Sequence, residues 1–133
     1  SAEPFQFNFN VANYTCYVKS QYIQEHIHPH CDFVAIHYVR FDPMVHTSTR
    51  FTNPAAFATY LEEIRSKTRI KYTSNDSFNS WMFGRYEPEV VEDDILIHPG
   101  LLEHDVRPQQ CEDDNLRMAI VLNVYAGDAS TSL

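Results

Sequence analysis

Between residues 116 and 126 the chain reads LRMAIVLNVYA, a stretch with no glycine or proline and a single charge. Side chains alternate across a strand, so Met118, Ile120, Leu122 and Val124 share one face, and Arg117, Ala119, Val121, Asn123 and Tyr125 the other. A second run, FVAIHYVRF at 33–41, reads as a central strand within a region from 14 to 41 that is rich in Tyr, Val, Ile and Phe. Together these runs commit the chain to sheets. Shorter strands are expected at 81–86 and 95–97, with turns at Glu92-Asp93-Asp94 and Pro99-Gly100 between them. Several short strands in this length suggest an antiparallel sandwich or small barrel.

One segment carries a different period. Asn53 suits an N-cap, and Pro54 takes the first helical position, where its missing N–H costs little. Phe57, Tyr60, Leu61 and Ile64 then recur at helical spacing, and Arg65, Lys67 and Arg69 crowd the carboxyl end, where cations suit the dipole. A helix over 54–67 is expected, either packed outside the sheets or forming a lid together with the polar stretch 72–79.

Composition narrows the function classes. At 133 residues, with 44% hydrophobic and 21% charged side chains, the chain is long enough for one domain with a real core. Its 3 glycines form neither GxGxxG nor a P-loop, so nucleotide chemistry of those types has no motif. A net charge of -8 argues against nucleic acid or an anionic membrane as partner, because phosphate binding is driven by Lys and Arg. A basic run (Arg65, Lys67, Arg69, Lys71) reads as a helix end and its solvated continuation. No apolar run is long enough for a membrane span, and no signal peptide is visible. Cys16, Cys31 and Cys111 are odd in number and form no CxxC, so they read as reduced thiols of a cytoplasmic protein.

The chemistry concentrates at His26-Ile-His28-Pro-His30-Cys-Asp32. On one strand His26 and His28 would project the same way, and His30 and Asp32 would join them only if the strand ran on past Pro29. An HxH or HxD pair supplies two adjacent metal positions, and His104, just past Pro99-Gly100, is the natural third ligand. A His-rich solvated face is the plainer reading of the same residues. His37 and His46 read as structural or surface groups, and so does His98. On the last strand, Arg117 shares a face with Ala119 and Val121. If that face is buried, its guanidinium needs a partner: either an Asp or Glu of the chain, or the carboxylate of a ligand.

Four segments in order then resemble the 2-oxoglutarate/Fe(II)-dependent dioxygenase superfamily: His26-x-His28-Pro29, the strand 34–39 (VAIHYV), the turn 94–106 (DILIHPGLLEHDV) and the strand 117–123 (RMAIVLN). The likeness is to a small branch found in bacteria and phages, and it covers about residues 22–125. The chain departs from that pattern at Val34-Ala35 (usually Ser-Gly), at His37 (a Tyr) and at Leu122 (a Phe).

The resemblance implies a mainly β fold, a double-stranded β-helix (a jelly-roll, cupin-like barrel) with one inserted or flanking helix. It would be a single domain over 1–133 whose tail, 127–133, frays. It implies an Fe(II) centre held by His26, His28 and His104, or with His30 and Asp32 as the first pair. Arg117 would hold the far carboxylate of the cosubstrate 2-oxoglutarate, flanked by Tyr38 and Asn123. The activity implied is hydroxylation of a small molecule or peptide, with succinate and CO2 as co-products. Three neutral histidines leave the ion both positive charges, whereas two histidines and a carboxylate leave one, so the first set draws an anionic chelator more strongly. The rivals are a cupin-type metalloenzyme without 2-oxoglutarate, in which Arg117 is structural, and a non-catalytic binding barrel.

Overall fold

A computed structural model of the chain describes residues 5–58, 84–112 and 114–128. It is mainly β, with eight strands: β1 (Phe5–Tyr17), β2 (Ile23–His26), β3 (Phe33–Arg40), β4 (Thr49–Thr52), β5 (Arg85–Tyr86), β6 (Ile95–Pro99), β7 (His104–Val106) and β8 (Arg117–Asp128). They form two four-stranded antiparallel sheets, ordered β1-β8-β3-β6 and β2-β7-β4-β5. First pairs with last, second with seventh, third with sixth and fourth with fifth, as in one long hairpin folded over on itself. The inner faces of both sheets line a shared cavity.

β8 organises the first sheet, pairing with β1 along one side and β3 along the other. Its alternation sends Arg117, Ala119 and Asn123 into the interior, where all three are buried. Val34, Ile36 and Tyr38 of β3 meet them, and with Cys31, Phe41 and Val90 they form the core. The strand expected at 33–41 is β3, and that at 95–97 is β6.

Two expectations are corrected. The strand-rich region begins at Phe5 rather than Tyr14, because Asn8, Asn10 and Asn13 conceal the alternation of Phe5, Phe7, Phe9 and Val11. Of the tail expected to fray over 127–133, Gly127 and Asp128 pair with Gln6 and Phe5 as the end of β8, and residues 129–133 lie outside the described residues. The strand expected at 81–86 is described only as Arg85–Tyr86, since 81–83 lie outside the described residues. Of the helix expected over 54–67, residues 56–58 are helical, and Asn53 caps them through Oδ1, which accepts the Ala55 N–H at 2.9 Å. The remainder of that helix, the polar stretch 72–79 and the basic run from Arg65 to Lys71 lie outside the described residues. Among the described residues no helix is long and apolar enough to cross a membrane. All three cysteines are unpaired thiols.

One close approach fixes the loop that carries the histidines. The Gly100 carbonyl accepts the His28 N–H at 2.7 Å, and its own N–H donates to the Asp32 carbonyl at 2.9 Å. A Cβ at this position would sit 2.3 Å from the Cys31 carbonyl oxygen and 2.6 Å from that of His28, both backbone atoms that cannot swing aside. Gly100→Ala is therefore expected to cost roughly 2 kcal/mol of stability, the usual scale of overpacking. Urea unfolding would measure it, and a variant as stable as the parent would mean that the 28–32 loop has slack.

Candidate metal centre and anion pocket

His26 is the last residue of β2 and lies opposite His104, the first of β7. In a regular strand, Ile23 and His26, three apart, would face opposite ways. The register shift between them removes that conflict, and both line the cavity. His28 arrives differently. β2 ends at His26, so the expectation of one strand carrying both histidines is corrected: His28 sits in the following loop, held by Gly100.

The outcome is still a cluster. Ligand nitrogens of His26, His28 and His104 all lie within 4.8 Å of one another. Ring centroids are 4.3 Å apart for His26–His104, 5.1 Å for His26–His28 and 5.2 Å for His28–His104. Nδ1 of His26 is 2.8 Å from the Gln24 carbonyl oxygen, and Nδ1 of His104 is 2.8 Å from that of Leu102. A carbonyl only accepts, so each Nδ1 carries its proton and each Nε2 keeps a lone pair toward the cluster. That carbonyl anchoring is how a protein presets an imidazole for a metal.

Electrostatics favour the same state. Burial lowers the His104 pKa to about 4, against the Leu102 hydrogen bond that pulls it up, with His98, His26 and His28 adding to the depression. Desolvation also lowers His28 and His98, each helped by neighbouring imidazoles. At neutral pH these rings are uncharged nitrogen donors, the form a metal requires. Three imidazoles at this spacing fit a divalent transition ion, for which nitrogen ligands at ~2.1 Å would need only a small closing of the rings. The donor type alone does not choose among iron, zinc, copper and nickel.

The cluster opens into a cavity of about 50 Å³ between the sheets. Arg117 and Tyr17 line it too, directly opposite each other in the β1–β8 register. Arg117 is 1% exposed. Its Nε donates to the Thr47 carbonyl at 2.8 Å, and its guanidinium carbon lies 5.2 Å from the ring centres of Tyr17 and Tyr38 and 5.9 Å from that of Phe41. Among the described residues no carboxylate forms an ion pair with it. Burial presses its pKa down, with the two tyrosines acting against that pressure, but a guanidinium stays charged. The Tyr17 hydroxyl is buried with no hydrogen-bond partner, and desolvation raises its pKa. Tyr17 is a site residue that the sequence did not reveal; its position opposite Arg117 becomes visible only with β1 in register.

The remaining residues fall elsewhere. Tyr38 is fully buried, and its hydroxyl donates to Thr49 Oγ1 at 2.9 Å and accepts the Thr49 N–H at 3.1 Å. It supports the guanidinium from behind and does not line the pocket. Asn123 is also outside the lining: its amide meets His30 Nε2 at 3.1 Å and its Oδ1 faces the Cys31 thiol at 3.7 Å. Asp32 accepts the Ala126 N–H at 2.8 Å. His30 and Asp32 therefore tie the 28–32 loop to β8 and do not join the cluster with His104. His37 faces Asp93 at the surface, and His46 is buried between the Asp42 N–H and the Asn115 carbonyl. His98 is buried against His104 and Phe51, at 4.5 and 5.0 Å between ring centroids, and its Nε2 has no partner.

Neither protein-family models nor curated proteins contain a match to this chain.

Two outcomes follow from this geometry. His26→Ala, His28→Ala and His104→Ala should each weaken Co(II) or Fe(II) binding by about 100-fold or more, while Asp32→Ala leaves it within a few-fold, as read by anaerobic calorimetry. The metal-free protein should also lose stability as pH falls from 6.5 toward 4. In that window the unfolded chain protonates His104 and the folded chain does not, which removes about 3 kcal/mol for a pKa near 4. Denaturant unfolding of wild type and His104→Gln across those pH values would show the slope and its loss.

Proposed function

We propose that the chain is an Fe(II)/2-oxoglutarate-dependent oxygenase that hydroxylates a small molecule or a peptide side chain. The observation that carries this reading is Arg117, a buried guanidinium with no carboxylate ion pair among the described residues, which lines the same pocket as three closely grouped histidines. An ion-binding cluster and a separate fixed cation in one pocket suit a ligand with a chelating head and a second carboxylate. The sheet order supports the jelly-roll reading, since the nested pairing of first strand with last is that of a double-stranded β-helix. The free charge of Arg117 favours this reading over a cupin without 2-oxoglutarate, in which a buried arginine would serve structure and call for a carboxylate of the chain.

When bound, Fe(II) and 2-oxoglutarate supply the oxidising chemistry, consuming dioxygen and releasing succinate and CO2 as the substrate gains a hydroxyl. The chain's share is geometry and charge. His26, His28 and His104 would hold the ion without neutralising it, which favours an anionic chelator. Arg117 would take the far carboxylate through the edge of its fork not given to Thr47, and the unpartnered Tyr17 hydroxyl would donate to the same group. Tyr38 and Phe41 keep the guanidinium in place and water away from it. An overall charge of -8 argues against nucleic acid as the substrate.

The test is an anaerobic titration of the Fe(II)-loaded protein with 2-oxoglutarate, followed through the visible charge-transfer band of the chelate. The band should appear with wild type and require at least about 30-fold more 2-oxoglutarate in Arg117→Met, the scale of losing a buried charge-assisted pair. Iron binding without any response to 2-oxoglutarate would overturn the proposal.

A further inference from the structure

We propose that the outward face of the β1-β8-β3-β6 sheet is the interface of a homodimer, in which two copies pack sheet against sheet on the side opposite the pocket. Cross-strand register defines this face. Val11, Leu122, Ala35 and Ile97 lie side by side across all four strands, and the rows through Val124 and Ile120 on either side repeat the pattern. The rim of the face is open to solvent: Phe9 is 71% exposed, Tyr14 73% and Ile97 63%. In those three rows the only side chain of a charged-residue or histidine type is His37, and its Nε2 lies 3.3 Å from Asp93 Oδ1.

Size and charge point to a second copy as the occupant. At ~4.8 Å between strands and ~3.4 Å per residue, the four strands present roughly 600 Å² in projection, and more with side-chain relief. A standard interface buries about 800 Å² on each partner, and a monomer's largest apolar patch seldom exceeds about 600 Å². Among the described residues these three rows carry no Asp or Glu, in a chain of charge -8, so two such rows meet without carboxylates facing each other. The same charge disfavours an anionic lipid surface. Two-fold packing of identical faces is also self-complementary, which a single neutral apolar sheet requires.

Analytical ultracentrifugation of the full chain tests this. The expected species is about 31 kDa, twice the 15.5 kDa chain, and its dissociation constant should fall as salt screens the repulsion between acidic copies. The double variant Phe9→Asp/Ile97→Asp should weaken the dimer more than about 30-fold while unfolding like the wild-type monomer, because both side chains are solvent-facing within one copy. Met44→Asp, at an exposed site away from the sheet, should leave the dimer unchanged. A wild-type chain that stays monomeric at submillimolar concentration would overturn the proposal and give the face to another occupant. A dimer indifferent to Phe9→Asp/Ile97→Asp would overturn it in favour of edge pairing through β1. If that variant destabilises the monomer itself, the face is covered within the chain, and the proposal also fails.

Discussion

A guanidinium withdrawn from water, with no carboxylate among the described residues to meet it, is the constraint around which the interior is arranged. Removing such a charge from solvent costs several kcal/mol unless something compensates. Here the Thr47 carbonyl takes one N–H, and three aromatic rings turn their faces or edges toward the cation. Tyr38, its hydroxyl locked on Thr49, ties this arrangement across the two sheets, because Tyr38 belongs to β3 and Thr49 to β4. The compensation is incomplete. Arg117 and the unpartnered Tyr17 hydroxyl line the same pocket, which is the arrangement expected where a ligand supplies the missing acceptor.

The histidine cluster obeys a related logic at the other polar part of the pocket. Its rings are brought together by three separate devices: the register shift that turns His26 inward, the start of β7 that places His104, and the Gly100 contact that anchors the His28 loop. Burial then favours the neutral form of His28 and His104, so their lone pairs are available at neutral pH. His30 and Asp32, which look from spacing alone like members of the site, instead join Asn123 of β8 and the Ala126 N–H in bracing this loop. Their work is mechanical, and it explains why so many polar residues crowd seven positions while only two of them face the pocket.

Much of this was legible before the fold. The period of two in β8 placed Arg117 on the Ala119 face, and that face is the buried one. The HxH pair and His104 were found from residue type, spacing and the turn between them. What the sequence hid was register. Asparagines at 8, 10 and 13 disguised β1, and with it Tyr17, since a residue becomes a neighbour of Arg117 only through pairing a hundred positions away in sequence. The inward turn of His26 depends on an irregularity that no alternation rule anticipates. That His28, and not His30 or Asp32, stands beside His26 and His104 follows from a backbone contact that only a residue without Cβ permits.

In the proposed function a metal ion between three histidines and a cation at Arg117 would hold the two ends of one dianion. A crystal structure of the protein grown anaerobically with Fe(II) and 2-oxoglutarate tests it most directly. The account predicts an ion bound by Nε2 of His26 and His104 and by His28, with the far carboxylate on the Arg117 guanidinium and the Tyr17 hydroxyl. An ion held by His30 and Asp32, or a 2-oxoglutarate that leaves Arg117 untouched, would contradict it.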